Sequence, residues 1–244
     1  MAVYYETSWS ILSTIGLANF FFAWIVVGVT KLTFLSAVPI VVSAASAVAN
    51  GLCYYAWYMD SSKASTASAY AVADILWMIQ EAGLSFYSYA ILSQVLRNRK
   101  RLVFLVLFWV FMLCVLMARL ILLAYRIKSI LQGDQIFKTI VNGAHVGYFM
   151  SLATVECLSA FFLLHTFAAA KNKREQASLG SDFMRHLMRS TEVRLALLAL
   201  IGVARAITFL FQPPISGAVS TSSQIDVFLY SLECLFPVML LSVS

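Results

Sequence analysis

Five carboxylic acids stand inside apolar stretches of this chain: Asp74, Glu81, Glu156, Asp226 and Glu233. Asp74 and Glu81 are seven residues apart, and so are Asp226 and Glu233. Seven residues make about two helical turns, so each pair shares one face of its helix. Trp77 lies between the first pair and Tyr230 between the second. Two arginines, Arg119 and Arg205, stand in similar apolar surroundings. Full ionisation would leave three excess negative charges. In a low-dielectric interior at least one carboxyl is then expected to keep its proton at neutral pH. A protonated carboxylic acid beside aromatic rings in an apolar cavity is a general acid suited to cation chemistry.

Other polar residues share these stretches. His145, Phe149, Leu152 and Glu156 follow one helical stripe, and Asn19 and Asn50 sit deep in the first two apolar runs. Each has a plain alternative. Glu81 or Glu233 could hydrogen-bond a neighbouring helix, Arg119 and Arg205 could serve as counter-ions, and His145 could be an interfacial histidine. Asn19 and Asn50 could be interhelical glue. Trp77, Tyr230, Phe149 and the run Tyr54, Tyr55, Trp57, Tyr58 could be packing or an interfacial belt.

The elements that hold these groups follow from composition. The chain has 244 residues, 61% hydrophobic and 11% charged, with a mean hydropathy of +0.86. Soluble domains are about 45–50% apolar and about 25% charged. A soluble enzyme, a disordered chain, a coiled coil and a disulfide-stapled module are excluded on those numbers. Seven apolar segments are read as spans at about 9–29, 35–58, 70–92, 102–123, 141–168, 193–210 and 225–243. They form one seven-helix transmembrane domain over 1–244. The segments are too long and continuous for a membrane barrel. Residues 1–7 carry no Lys or Arg, so the first segment is read as a retained span rather than a cleaved leader.

The pI of 9.2 reflects basic residues clustered in short loops, which points to topology and anionic lipid headgroups, with no nucleic-acid partner. One side carries ten: Lys31, Arg97, Arg99, Lys100, Arg101, Lys171, Lys173, Arg174, Arg185 and Arg189. The other carries four: Lys63, Arg126, Lys128 and Lys138. The positive-inside rule then sets the N-terminus lumenal or extracellular and the C-terminus cytosolic. The loop at 171–191 reads as a short amphipathic segment, with Ser190 or Thr191 capping the sixth span. The stretch 212–223 reads as an irregular connector. Cys53, Cys114, Cys157 and Cys234 all lie in spans without metal spacing and are read as buried free thiols.

Known seven-span families leave signatures that this chain lacks. The third span ends in LSQVLRNRK, without an acidic-Arg-Tyr switch. The seventh reads QIDVFLYSLECLFPVMLL, with no Asn-Pro-x-x-Tyr pattern and no lysine for a retinal Schiff base. No repeat supports a small-sugar transporter, and no histidine cluster supports a metal hydrolase.

The stretch VRLALLALIGVARAITFLFQ, followed by STSSQIDVFLYSLECLFP, looks like fungal heptahelical membrane proteins. In size and layout the whole chain resembles the integral-membrane terpene cyclases of fungal meroterpenoid pathways. That resemblance implies secondary metabolism in the endoplasmic reticulum or another endomembrane. It implies acid-initiated cyclisation of an epoxidised farnesyl-aromatic precursor, with no metal or other cofactor. Better-known members use one acid in the second span and one in the last. Asp226 matches the latter, whereas the second span here holds Asn50 and no carboxylate before Asp60. The donor is expected to be Asp226 or Glu81, tuned by Asp74 and Glu233. Trp77, Tyr230, Asn50, Glu156, His145, Arg119 and Arg205 are the expected substrate-binding residues, with Phe86, Tyr87 and Phe236 as further lining. The competing readings are a proton-coupled transporter, with Glu81, Glu156 and Glu233 as a relay, and a receptor-like seven-span protein.

Overall fold

A computed structural model describes residues 3–59, 62–132, 136–176, 182–211 and 221–241. Among them every regular element is an α-helix. There are seven: α1 Val3–Val29, α2 Phe34–Tyr58, α3 Lys63–Val95, α4 Asn98–Gln132, α5 Ile136–Gln176, α6 Asp182–Leu210 and α7 Thr221–Leu241.

The helices begin and end where local chemistry favours it. Thr33 caps α2 in a reciprocal box with Ser36. Ser62 caps α3 by accepting from the Ser65 N–H. Between α3 and α4, Leu96 is extended and Asn98 takes a positive φ of 52°, which asparagine tolerates better than most side chains. Pro237 lies inside α7, so no N–H there reaches back to the carbonyl of Glu233.

Five helices contain a stretch long and apolar enough to cross a membrane, which marks an integral membrane protein. They are α1, α2, α4, α5 and α7. The other two are the less apolar ones. Among the described residues α6 offers only the shorter apolar stretch Ala196–Thr208, and α3 carries Asp74, Gln80 and Glu81. Large apolar side chains cover the outer surface, among them Phe21, Trp24, Leu113, Phe161, Leu200 and Phe228. Such a surface is stable against hydrocarbon and not against water.

Each helix packs on the next in sequence, and α7 returns to α1 and α2 to close the bundle. α3 also meets α5. Small residues let backbones approach, as membrane packing requires. A Cβ on Gly16 would stand 2.7 Å from the backbone nitrogen of Ala47. One on Gly83 would stand 2.7 Å from Val42 Cγ2. The apolar core divides into layers. Ala82, Val115, Leu122, Tyr148, Leu152 and Ala206 join α3 to α6. Val42, Leu84, Leu198 and Phe236 join α2, α3, α6 and α7.

Several boundaries differ from the sequence reading. Helices run on past the apolar runs because polar residues at their ends still satisfy backbone hydrogen bonds. α4 continues through Arg126 and Lys128, so Arg126 is not a loop residue. α5 extends to Gln176 and α6 begins at Asp182, so Ser190 and Thr191 lie within a helix rather than at its start. The expected connector falls mostly on 212–220, outside the described residues, while Thr221–Ser223 belong to α7. Cys53 and Cys234 are buried, but Cys114 and Cys157 are exposed on the outer surface. They lie on lipid-side faces of α4 and α5, where a thiol serves as a small apolar group.

Candidate functional site

Two ionic clusters occupy the bundle interior. The first centres on Arg205 of α6, which is 4% exposed. Its Nη1 donates to Glu81 Oε1 at 3.0 Å and to Glu233 Oε2 at 2.5 Å, and its Nε donates to Asp226 Oδ1 at 3.3 Å. One guanidinium therefore holds three carboxyl groups from α3 and α7. The second oxygen of Glu81 accepts from the hydroxyl of Tyr148 on α5 at 2.8 Å. The seven-residue spacing on α7 makes this possible, since Arg205 lies along the face that carries both Asp226 and Glu233.

The second cluster reverses that ratio. Asp74 is completely buried on α3 and is held by two arginines of α4. Arg126 Nη1 reaches Asp74 Oδ1 at 2.8 Å, and Arg119 Nη2 lies 3.5 Å from the same oxygen. Arg119 Nε also donates to the Asp74 backbone carbonyl at 2.8 Å. Arg126 Nη2 lies 3.3 Å from His145 Nε2, while His145 Nδ1 lies 2.9 Å from the Val141 carbonyl. With arginine only able to donate, His145 accepts at Nε2 and carries its proton on Nδ1.

A third, uncharged network lies beside them. Asn50 Nδ2 donates to the Tyr230 hydroxyl at 3.0 Å, and that hydroxyl donates to Gln80 Oε1 at 2.9 Å. Gln80 Nε2 continues to Cys234 Sγ at 3.3 Å. Asn19 donates to the Cys234 carbonyl at 2.7 Å, tying α1 to α7. These are interhelical hydrogen bonds of the kind that replace water in a membrane interior.

The charged clusters face one cavity of about 490 Å³, within the range of roughly 300–1,000 Å³ typical of small-molecule sites. Its wall comprises Trp77 and Glu81 from α3, Arg119 and Arg126 from α4, and His145 and Phe149 from α5. Arg205 joins from α6, and Asp226 and Tyr230 from α7. Trp9 and Leu12 of α1 and Tyr70 of α3 also line it. The aromatic faces are turned toward charge. Arg205 Cζ stands 4.4 Å from the Phe149 centroid and 5.0 Å from that of Tyr230. Arg119 and Arg126 stand 5.8 and 5.9 Å from Trp77.

The structure thus brings Glu81, Asp226, Trp77, Tyr230, His145, Arg119 and Arg205 onto one wall. Asp74 and Glu233 stand behind it, each bound to a wall arginine. Asn50 does not line the cavity and acts through Tyr230. Glu156 does not line this cavity. It is buried, but it lies against Gly202 of α6 in close contact, and its Oε2 has no hydrogen-bond partner. Phe86, Tyr87 and Phe236 do not line it either. Phe86 lines a separate, wholly apolar groove of about 650 Å³ between α2, α3 and α4, and Tyr87 and Phe236 pack in the α2–α3–α7 core. Phe86 is nine residues past Trp77, about half a turn round the helix, so the two face opposite ways.

Three participants escaped the sequence reading. Arg126 is seven residues past Arg119, the same two-turn spacing that marked the acids. Tyr148 sits one turn past His145 and is the only hydroxyl on Glu81 among the described residues. Gln80 is an amide in an apolar helix, 1% exposed, which by itself calls for a partner. No group of metal-ligating side chains occurs among the described residues. Neither a protein-family model, nor a curated protein, nor a solved structure matches this chain.

Proposed function

We propose that this chain is a seven-span membrane isomerase that cyclises an epoxidised, prenylated aromatic precursor by carboxylic-acid catalysis. The observation that carries the reading is the meeting of Glu81 and Asp226, from different helices, on the wall of one aromatic-edged cavity inside an apolar bundle. α3 and α6 complete the seven spans, because their charged groups are answered by other helices rather than by lipid. The N-terminus is on the lumenal side, in keeping with the basic residues of the α1–α2, α3–α4 and α5–α6 ends.

The proposed step is proton transfer from a carboxylic acid to the epoxide oxygen. The C–O bond breaks as the neighbouring alkene supplies its electron pair, so a C–C bond closes a ring and an alcohol forms. The cation moves along the chain until a carboxylate removes a proton. Nothing is added or lost overall, and the product is an isomer. The arrangement around Arg205 fits this need. Three carboxyls share one guanidinium, so one proton held between them lowers the excess charge and supplies the acid. Glu81 is the favoured donor, with its orientation fixed by Tyr148 and Arg205. Asp226 is the favoured base. Glu233 holds Arg205, and Asp74 holds the arginines of α4. Trp77, Phe149 and Tyr230 offer π faces that stabilise a cation without trapping it.

Microsomes containing the chain, supplied with an epoxidised farnesyl-phenol, are expected to form a product of unchanged mass. Glu81→Gln and Asp226→Asn should abolish it. A folded wild-type protein that yields no isomer would refute the reading for this substrate class. A proton-coupled transporter is the second reading, favoured by the carboxyls Glu233 and Glu156 that continue past the cavity. It predicts substrate-dependent proton flux in liposomes, which an isomerase lacks.

A further inference from the structure

We propose that the α3–α4–α5 side of the cavity binds an anionic head group, a carboxylate or phosphate, borne on an apolar chain. This deepens the isomerase reading by naming a substrate class, and for turnover it rests on that reading.

Charge is the first ground. The cavity wall carries three guanidinium groups, of Arg119, Arg126 and Arg205, against two carboxyl groups, of Glu81 and Asp226. Arg205 is consumed by its three acids. Among the described residues Arg119 and Arg126 form ion pairs with Asp74 only, and Asp74 stands behind them, wholly buried. Among the described residues, the side of the pair facing the cavity therefore has one positive charge in excess. A positive charge in a low-dielectric setting is costly without an anion.

Hydrogen-bonding capacity is the second and independent ground. Arg119 is 5% exposed, lines the cavity, and beyond its 3.5 Å ion pair with Asp74 has no hydrogen-bond partner at Nη2. Trp77 lines the same wall, and its indole Nε1–H is also buried without a partner. Both groups can only donate. His145, as a neutral ring fixed by Val141 and Arg126, adds no negative charge. Two unmet donors and an excess cation on one wall fit an oxyanion. Arginine forks match carboxylate and phosphate geometry. The apolar chain then extends toward Phe149 and Tyr230, which places its reactive end near Glu81 and Asp226.

The test is binding without turnover. Purified protein in nanodiscs of phosphatidylcholine is titrated with farnesoate and with methyl farnesoate, and tryptophan fluorescence is followed. Farnesoate should bind about tenfold or more tightly than its ester, the worth of charge-assisted hydrogen bonds. Arg126→Gln should bring the ratio close to one, and Arg126→Lys, which keeps the charge, should restore part of it. Lys100→Gln, on the opposite end of α4, should leave it unchanged. Nanodiscs containing phosphatidylglycerol separate the sources of the head group. Weakened farnesoate binding there identifies a lipid, and unchanged binding identifies a free amphiphile. Equal binding of acid and ester by the wild type, or a ratio unaltered in both Arg126 variants, overturns the proposal. Isomer formation without this discrimination would remove the present inference alone. Tight farnesoate binding without isomer formation would remove the isomerase reading alone.

Discussion

Arg205 and Asp74 are hubs of opposite sign. Arg205 is one cation held by three acids, and Asp74 is one acid held by two cations. Both are almost fully buried; Arg205 ties together helices distant in sequence, whereas Asp74 joins α3 to the next helix, α4. Their imbalance differs in what relieves it. Excess acid around Arg205 is relieved by a proton. Excess base around Asp74 is relieved by an anion. In the reading proposed above the two regions do different work, one keeping a proton in store and the other receiving a charged group from outside.

The largest effect should come from removing the cationic hub. Arg205→Met leaves three carboxyls without a counter-ion, and loss of one partner of a buried pair costs about 3–5 kcal/mol. Thermal unfolding in detergent should show a large drop in Tm or no folded protein, and Arg205→Lys should recover much of it. Asp74→Asn attacks the opposite hub. It should destabilise by about 2 kcal/mol, since an amide still accepts one hydrogen bond from arginine. Farnesoate binding should tighten in that variant. Weaker binding would contradict the assignment of the α4 arginines as an anion site.

Glu81→Gln sharpens the comparison differently. It removes one of the surplus acids while leaving an oxygen for Tyr148. Stability should change by less than about 1 kcal/mol, whereas isomer formation should fall by about a hundredfold or more. Equal losses of stability and activity would make Glu81 a structural ligand of Arg205 and nothing more. The smallest effect belongs to Tyr230→Phe. It removes one hydrogen-bond partner from each of Asn50 and Gln80 at a cost of about 1 kcal/mol and should leave both charge clusters, and hence farnesoate binding, in place.

Much of this arrangement can be read from spacing. The pairs Asp74–Glu81 and Asp226–Glu233 share helix faces as two-turn spacing requires, and Trp77 and Tyr230 lie between them on the cavity side. Arg119–Arg126 obeys the same rule, but Arg126 lies beyond the apolar run and looked like a loop residue. Helical phase also separates Phe86 from Trp77, although composition alone groups them as aromatics. Other features depend on distance in the fold. Nothing local to α6 indicates that Arg205 takes acids from both α3 and α7. Glu156 shares a stripe with His145 and Phe149, yet the stripe turns toward Gly202 before reaching the cavity depth of Glu81.

The separation of Glu81 from Arg205 by 124 residues bears on biogenesis. In the seven-span arrangement proposed here, α3 leaves the ribosome with two acids and no cation of its own beyond Lys63. Asp74 is answered as soon as α4 follows. Glu81 waits for α6, and at about 5–20 residues per second that interval is on the order of ten seconds. During it, α3 depends on the translocon or on a proton carried by Glu81 to stay out of direct contact with lipid as a charged helix. The least apolar helices of the chain are therefore committed to the bilayer late, and by each other.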